Sequence, residues 1–254
     1  MLLVADVGNS NTKIGVFDGA RLLISWTLTS RREQTADEYG ISIETLLRTR
    51  GLGAQDITGI AISNVVPPLQ RALEEMAERY LGVAPLVVTP GLTRALPLAV
   101  ENPQEVGPDR IVAALAAKTL YGAPVIVVDL GTATRFDCVS SRGEFIGGAI
   151  APGLAVSVDA FLTRAARLYR VELARPKEAI GRNTVTNIQS GVVYGWAGLV
   201  DGVVARMKAE LDGTPAVVAT GGLAHLIAEV ARSIQHVNPD LKLEGLRLIY
   251  EGAG

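Results

Sequence analysis

Two segments of this chain repeat a pattern of residues that could bind phosphate groups. Each has an aspartate after an apolar run, then a glycine, then a turn rich in hydroxyl and amide side chains: Asp6-Val7-Gly8-Asn9-Ser10-Asn11-Thr12 and Asp129-Leu130-Gly131-Thr132-Ala133-Thr134. Glycine lets the backbone approach a ligand closely, turn amides can bind phosphate oxygens, and the carboxylate can hold a cation that neutralises them. The repeat predicts two similar lobes with a nucleotide between them.

The alternative interpretation is that either segment is only a hairpin turn without a phosphate-binding role. The repetition of the pattern makes this alternative less favoured. The sequence has no G-x-x-x-x-G-K-[ST] motif and no G-x-G-x-x-G motif after a strand. Walker-type and Rossmann-type phosphate sites are therefore both disfavoured.

A third acidic residue, Asp109, lies in the segment Gly107-Pro108-Asp109-Arg110, which is predicted to open a helix. A carboxylate at that position could accept a proton from an alcohol, while Arg110 binds an anionic group of the same substrate. The alternative is that Asp109 only complements the helix dipole and that Arg110 is a solvated charge.

Two hydroxyl-bearing segments of the second half are further candidates for ligand contacts. Thr220-Gly221-Gly222 follows a buried strand and could lie against a nucleoside base, although a tight strand-to-helix turn is the favoured explanation of this segment taken alone. Thr184 could offer its hydroxyl to a polar ligand, and the alternative is that its segment only caps a helix.

The composition excludes several classes of protein. The chain has 254 residues, 48% of them hydrophobic, with a formal net charge of −2 and no block of five like charges, so nucleic-acid binding is not expected. No apolar run reaches the roughly 20 residues that a membrane span needs. The one cysteine, Cys138, cannot form an intramolecular disulfide, which fits a reducing cytoplasm. The two histidines have no partner at zinc-ligand spacing.

The hydrophobic pattern predicts an α/β fold with mixed sheets, because each half opens with a hairpin and continues with alternating helices and strands. A proline-rich connection at residues 89–107 divides the chain into predicted lobes 1–107 and 108–254. Strands are predicted at residues 2–7, 12–18, 21–27, 57–66, 85–88, 124–128, 136–139, 144–150 and 216–220. Helices are predicted at residues 35–50, 69–80, 108–121, 155–167, 186–211 and 224–233, and the helix at 224–233 is predicted to be the last.

At these residues the sequence resembles type III pantothenate kinases, bacterial enzymes that phosphorylate pantothenate in the first step of coenzyme A synthesis. The resemblance runs the whole length. Its landmarks are residues 6–13, Asn102-Pro103, Val106-Gly107-Pro108-Asp109-Arg110, Asp129-Leu130-Gly131-Thr132-Ala133-Thr134, Gly147-Gly148, Pro152-Gly153, Asn183-Thr184, Gln189-Ser190-Gly191, Thr220-Gly221-Gly222 and Leu243-Glu244-Gly245-Leu246-Arg247.

The resemblance implies an actin-like (ribonuclease H-like) fold with two duplicated lobes, a homodimer, and ATP with Mg²⁺ as cofactor. It further implies a role for individual residues. By this resemblance Asp109 is the proton acceptor, and Asp129 binds a monovalent cation such as K⁺ or NH₄⁺. The implied ATP contacts are Asp6, Val7, Gly8, Asn9, Ser10, Asn11, Thr12, Lys13 and Thr132. The implied pantothenate contacts are Gly107, Pro108, Asp109, Arg110 and Thr184.

Three positions depart from the family pattern. Pro108 replaces an alanine, Val100 stands where many members have a tyrosine by the substrate, and Arg135 stands where a threonine usually lies beside the cation. A guanidinium is a permanent charge, so we hypothesise that Arg135 occupies the cation position and pairs with Asp129. The alternative is that Arg135 points away along its strand, because strand side chains alternate faces.

Two other functions compete with the pantothenate kinase. One is a catalytically silent relative of the Bvg accessory factor type that only binds nucleotide or regulates. The other is a different small-molecule kinase of the same superfamily, since a fold does not fix a substrate. The retained Asp6, Asp109 and Asp129 favour an active enzyme.

Overall fold

The computed structural model of the chain describes residues 1–92, 94–165 and 171–253. Its packing divides into two compact units. Unit 1 comprises residues 1–97, 101–116 and the chain's end from Lys242, and unit 2 comprises residues 98–100 and 117–241. The chain therefore returns to unit 1 at its end, which the prediction of lobes 1–107 and 108–254 does not anticipate. Among the described residues, no helix has the length and apolar character to cross a bilayer.

Unit 1 is built on a five-stranded mixed sheet with strand order β3-β2-β1-β4-β5. The central strand β1 runs antiparallel to β2 and parallel to β4. The sheet shares one apolar core with helices α1 and α2. The bounds are β1 (Leu2–Val7), β2 (Asn11–Asp18), β3 (Arg21–Thr29), α1 (Ala36–Arg48), β4 (Gly59–Asn64), α2 (Gln70–Leu81) and β5 (Leu86–Val87), and α3 (Pro108–Tyr121) begins in this unit.

Unit 2 repeats this arrangement with strand order β10-β9-β6-β7-β8. Its central strand β6 is antiparallel to β7 and parallel to β9. Helices α4, α5 and α6 contribute to its apolar core. The bounds are β6 (Val125–Leu130), β7 (Ala133–Val139), β8 (Phe145–Pro152), α4 (Leu154–Arg164), α5 (Thr184–Glu210), β9 (Ala216–Thr220), α6 (Ala224–Ala228) and β10 (His236–Val237).

The two sheets have equivalent strand orders and directions, so the predicted duplication of an α/β unit is confirmed. In each unit a hairpin supplies the central strand and its antiparallel neighbour, and a later strand joins the other side in parallel. The central strands are almost wholly buried, as expected of strands covered on both faces.

Helix starts follow the local capping signals. Thr35 caps α1 by accepting a hydrogen bond from the Glu38 amide, while the Glu38 carboxylate accepts one from the Thr35 amide. This exchange lowers the pKa of Glu38, first through the Thr35 backbone amide. Asn183 caps α5 in a similar way through the Thr186 amide.

The end of the chain corrects the sequence prediction. The predicted last helix at 224–233 ends at Ala228, and it is followed by β10 and by a further helix, α7 (Leu241–Ala253). The helix predicted at 155–167 ends at Arg164, and its residues 166–167 lie outside the described residues. The strand predicted at 136–139 begins earlier, at Ala133, because the turn before it is shorter than expected.

Helix α7 packs tightly against α3 within unit 1. A Cβ atom at Gly245 would overlap the carbonyl oxygen of Val112 in α3, so only glycine permits this approach of the two backbones. The buried side chains of Leu241, Leu246 and Ile249 lie on the same helix. The chain's end is thereby fixed to unit 1.

We predict that Gly245→Ala lowers the free energy of unfolding by about 1–3 kcal/mol, because the added methyl group forces α7 away from α3. Thermal or urea unfolding of the purified protein measures the effect. Gly252→Ala is the matched control on the same helix, since nothing lies within 4 Å of a Cβ there. Equal stabilities of the two variants would contradict the close packing at Gly245.

Candidate functional site

The first predicted phosphate turn connects β1 to β2. Asp6 is the penultimate residue of β1 and is 4% exposed, whereas the turn residues Asn9, Ser10 and Asn11 are exposed. The turn is closed by a hydrogen bond from the Gly8 amide to the Asn11 carbonyl, 3.0 Å. A buried carboxylate thus lies behind an exposed turn, as a phosphate site requires.

Thr12, a predicted ATP contact, has a buried side chain that supports the turn. Its hydroxyl lies 2.8 Å from the Ser30 hydroxyl and 3.4 Å from the Tyr39 hydroxyl. Burial raises the pKa of Tyr39, and the hydrogen bond to Thr12 opposes that rise. The Thr12 hydroxyl is therefore engaged within the protein.

Asp6 forms an ion pair that the sequence did not reveal. The Nζ atom of Lys242, from the first turn of α7, lies 2.8 Å from Asp6 Oδ2. Lys13, the predicted phosphate contact, lies beside Asp6 in the β1–β2 register. The carboxylate therefore has lysines on β2 and on α7 in its vicinity.

The second predicted turn connects β6 to β7 and is one residue shorter than the first. Asp129 is 2% exposed, Thr132 is exposed, and the Gly131 amide donates to the Ala133 carbonyl at 3.1 Å. The segment after β8 supports this turn, because the Gly153 amide donates to the Thr132 carbonyl at 3.1 Å. Thr132 is thus held in an exposed position.

Arg135 forms an ion pair with Asp129. The Nη2 atom of Arg135 contacts Asp129 Oδ2, and both side chains are largely buried, at 16% and 3% exposed. The expectation that Arg135 pairs with Asp129 is confirmed, and the alternative that it points away along its strand is wrong. Arg135 and Asp129 are register partners on β7 and β6, so their side chains lie on the same face of the sheet.

The strand registers place equivalent residues around the two aspartates. Asp6 lies between Lys13 on β2 and Ser63 on β4, and Asp129 lies between Arg135 on β7 and Thr220 on β9. The hydroxyl oxygens of Ser63 and Thr220 are buried and have no hydrogen-bond partner within the described parts of the chain. Ser63 was missed by the sequence analysis, because a lone serine in an apolar strand carries no local signal.

Thr220-Gly221-Gly222, the predicted base contact, forms the turn after β9. Gly221 has a φ of +95°, a conformation that favours glycine, and a Cβ there would lie 2.6 Å from the Leu130 carbonyl oxygen. The segment therefore passes directly behind the Asp129 turn. The interpretation as a tight strand-to-helix turn accounts for the glycine.

Asp109 lies in the first turn of α3 and is 6% exposed. Its carboxylate approaches Gly107, because a Cβ at Gly107 would lie 2.8 Å from Asp109 Oδ1. The Gly107 carbonyl accepts hydrogen bonds from the Arg110 and Ile111 amides and so begins the helix. Pro108 fits the first helical position, where no amide donor is needed, and Arg110 is half-buried.

The remaining predicted substrate contacts belong to unit 2. Thr184 is the exposed first residue of α5, immediately after the Asn183 cap. Val100 lies against the glycine-rich strand β8, since a Cβ at Gly147 would be 3.9 Å from its side chain. Thr184 therefore begins α5, two residues before the predicted helix start at residue 186.

The acidic residues suit a cation that arrives with a phosphate ligand. Across residues 1–92, 94–165 and 171–253, no three His, Cys, Asp or Glu side chains form a group that could hold a metal ion. Mg²⁺ is commonly held by one or two carboxylates together with substrate phosphates. Asp6 provides one carboxylate with a buried oxygen, Oδ1, that has no hydrogen-bond partner among the described residues, so it fits this mode.

Solved structures with the same fold cover nearly the whole chain. The activator of the 2-hydroxyisocaproyl-CoA dehydratase from Clostridium difficile, solved with bound ADPNP, has a TM-score of 0.59 at 12% identity and covers 98% of this chain and 93% of its own. The ethanolamine utilization protein EutJ from Carboxydothermus hydrogenoformans has a TM-score of 0.57 at 14% identity, covering 97% and 89%. The predicted actin-like fold is confirmed.

Sequence comparisons identify much closer relatives. The family model described as type III pantothenate kinase matches residues 2–206. A type III pantothenate kinase from Moorella thermoacetica is 50% identical over 251 residues, covering 99% of each chain. Another from Myxococcus xanthus is 51% identical over 250 residues, covering 98% of each. The chain therefore belongs to the type III pantothenate kinase family.

Proposed function

We propose that this chain transfers the γ-phosphoryl group of ATP to the primary hydroxyl of pantothenate, the first step of coenzyme A biosynthesis. The observation that carries the proposal is the identity of about half of all residues with type III pantothenate kinases over the full length. The buried Asp109 at a helix start adds a chemical reason, because it provides the carboxylate that an alcohol acceptor needs.

We assign ATP binding to the turn at residues 6–13 and to Thr132. The exposed amides and hydroxyls of Asn9, Ser10 and Asn11 offer donors to phosphate oxygens, and Thr132 adds an exposed hydroxyl. Asp6 is the residue that would hold Mg²⁺, whose charge neutralises the phosphates when it is bound. A neighbour of the same fold binds ADPNP, a nucleotide of the same class.

We assign pantothenate binding to Gly107, Pro108, Asp109, Arg110 and Thr184. Asp109 orients the primary hydroxyl and accepts its proton during an in-line attack, while Arg110 binds an anionic or polar group of the same molecule. Catalysis then depends mainly on positioning and on neutralisation of charge. The rigid start of α3 suits this role, because it fixes the carboxylate before substrate arrives.

We propose that Arg135 takes the place of the monovalent cation expected at Asp129. The support is the buried ion pair between the two side chains. A guanidinium carries its charge at every physiological pH and holds a carboxylate in a fixed geometry, so no K⁺ or NH₄⁺ is required there.

We also propose that the chain forms a homodimer through an apolar surface of unit 2, and we keep a cytoplasmic location as a prediction. Large apolar side chains are exposed on edge strand β8 and on the adjoining α4: Ile146, Ile150, Val156 and Phe161. An exposed apolar surface on an edge strand favours burial against a partner. A second copy of the chain is the occupant that we propose.

The first prediction from the proposed function concerns the catalytic base. Asp109→Asn keeps the size of the side chain but removes the proton acceptor, so kcat for ATP-dependent phosphorylation of pantothenate should fall by about 10²–10⁴-fold. A coupled assay of ADP release with purified protein measures it. Glu105→Gln, which neutralises an exposed carboxylate just before α3, is the control and should retain activity.

Three results would count against these assignments. If the wild-type protein does not phosphorylate pantothenate, the silent relative is favoured. If it phosphorylates a different alcohol instead, another small-molecule kinase is favoured. If the Asp109→Asn variant phosphorylates pantothenate as fast as the wild type, Asp109 is not the catalytic base.

The second prediction concerns the monovalent cation. Wild-type activity should not change when K⁺ and NH₄⁺ are removed, whereas Arg135→Thr should require one of them, because the buried Asp129 then lacks its charged partner. Loss of that partner should also destabilise the fold by about 3–5 kcal/mol in buffer without these ions. Added K⁺ should raise the Tm of Arg135→Thr by binding only the folded state.

Arg135→Lys is the control for charge and should remain independent of K⁺. A wild-type enzyme that is inactive until K⁺ or NH₄⁺ is added would overturn the replacement.

The third prediction concerns assembly. Ile150→Glu should convert the dimer to a monomer, because a charge would be buried in the proposed interface. Light scattering after size-exclusion chromatography measures the mass. Ile41→Glu is the matched control, since Ile41 on α1 is 60% exposed and Ile150 is 64% exposed. A wild-type chain that is monomeric at assay concentration would exclude the dimer.

A further inference from the structure

The contact between Lys242 and Asp6 ties the end of the chain to the first phosphate turn. Lys242 Nζ lies 2.8 Å from Asp6 Oδ2, and the exposed fractions of the two side chains are 22% and 6%. Gly245 holds the same helix against α3, so the lysine is delivered by a well-packed element. The carboxylate thus has a positive partner within the folded chain.

Only one oxygen of the Asp6 carboxylate is used by this ion pair. Asp6 Oδ1 is buried without a hydrogen-bond partner among the described residues, and so is the hydroxyl oxygen of Ser63, its register partner on β4. Buried polar atoms are nearly always paired, and an exception calls for water, an ion or a functional role. Two such oxygens on adjacent strands suit a hydrated divalent cation. The water molecules bound to the cation can donate hydrogen bonds to these oxygens, and its positive charge attracts the carboxylate.

We propose that Lys242 is a displaceable counter-ion of Asp6, a positioning residue that keeps free divalent cations off the carboxylate until nucleotide arrives. This inference rests on the proposed function, because it needs a triphosphate substrate. The ammonium group repels a metal ion at Asp6 in the nucleotide-free protein. When the magnesium complex of a nucleoside triphosphate binds, the ammonium exchanges Asp6 for a phosphate oxygen, and Asp6 becomes available to the metal.

The chemistry of lysine suits such an exchange. An ammonium is a compact charge on a flexible four-carbon stem, so it can move between two acceptors, whereas a guanidinium binds a carboxylate through a planar, directional fork. Lys242 is also more exposed than Arg135, at 22% against 16% for the side chains. We therefore assign the exchange to the pair in unit 1.

Binding of Mn²⁺, a paramagnetic substitute for Mg²⁺, tests the inference without nucleotide or pantothenate. Free Mn²⁺ is measured by electron paramagnetic resonance during titration of the wild type, Lys242→Met and Lys242→Arg. We expect Lys242→Met to bind Mn²⁺ on the order of tenfold or more tightly than the wild type, because a repelling charge is removed. Lys242→Arg should bind as weakly as the wild type.

The double variant Asp6→Asn, Lys242→Met locates the metal. It should lose the affinity that Lys242→Met gained, and a double variant that keeps this affinity would place the metal elsewhere and overturn the inference. Unchanged Mn²⁺ binding in Lys242→Met would overturn it as well. If Lys242→Met does not fold, Lys242→Gln serves in its place, with circular dichroism as the check.

The exchange step has its own measurement. Affinity for the magnesium complex of a non-hydrolysable ATP analogue should fall in Lys242→Met by about tenfold, because a charge-assisted contact to phosphate is lost. An equal or higher affinity would refute the exchange. These binding measurements do not depend on pantothenate. A wild type that is inactive with pantothenate would refute the proposed kinase function, but the Mn²⁺ titrations would still test the role of Lys242.

Discussion

A carboxylate near the end of each central strand lies where almost no water reaches it. Asp6 and Asp129 are 4% and 2% exposed. An isolated buried charge costs several kcal/mol, so each requires a positive partner with good geometry. Lys242 and Arg135 provide these positive partners. The elements that carry them, helix α7 and strand β7, must therefore lie beside the central strands.

The two units meet the same constraint with different parts of the chain. In unit 2 the cation comes from the neighbouring strand, as the register partner of the aspartate. In unit 1 the ion pair reaches across to α7, which returns to the sheet from the far end of the sequence. Ser63 and Thr220 occupy the same register position on the other side of each aspartate. The two units thus share one framework, but the ion pairs of their aspartates come from different parts of the chain.

Much of this was predictable because the signals are local. The repeated Asp-x-Gly turns, the alternation of strand residues and the capping residues Thr35 and Asn183 each act within a few positions of the chain. They give the strand order of each hairpin, the fold class and the candidate residues of both turns. Arg135 could be paired with Asp129 because the two lie on one hairpin.

The rest depends on contacts between distant parts of the sequence. Helix α7 has a glycine in its middle, which costs about 1 kcal/mol of helix propensity, and only its packing on α3 compensates for that. Without α7 there was no reason to connect Lys242 with Asp6. Ser63 gave no signal either, because its importance comes from its register with Asp6.

The difference between lysine and arginine as partners gives the two turns different chemical capacities. A buried arginine paired with the carboxylate stabilises one fixed arrangement, because a guanidinium is always charged and binds through a planar fork. A partly exposed lysine also pairs with the carboxylate in the absence of ligand, but we propose that a more highly charged anion such as a triphosphate can draw it away. The turn with the fixed partner therefore keeps its carboxylate neutralised whether or not a ligand is present. If Lys242 is displaceable as we propose, its turn admits a divalent cation only when phosphate is present, and entry of the metal is then coupled to entry of the nucleotide.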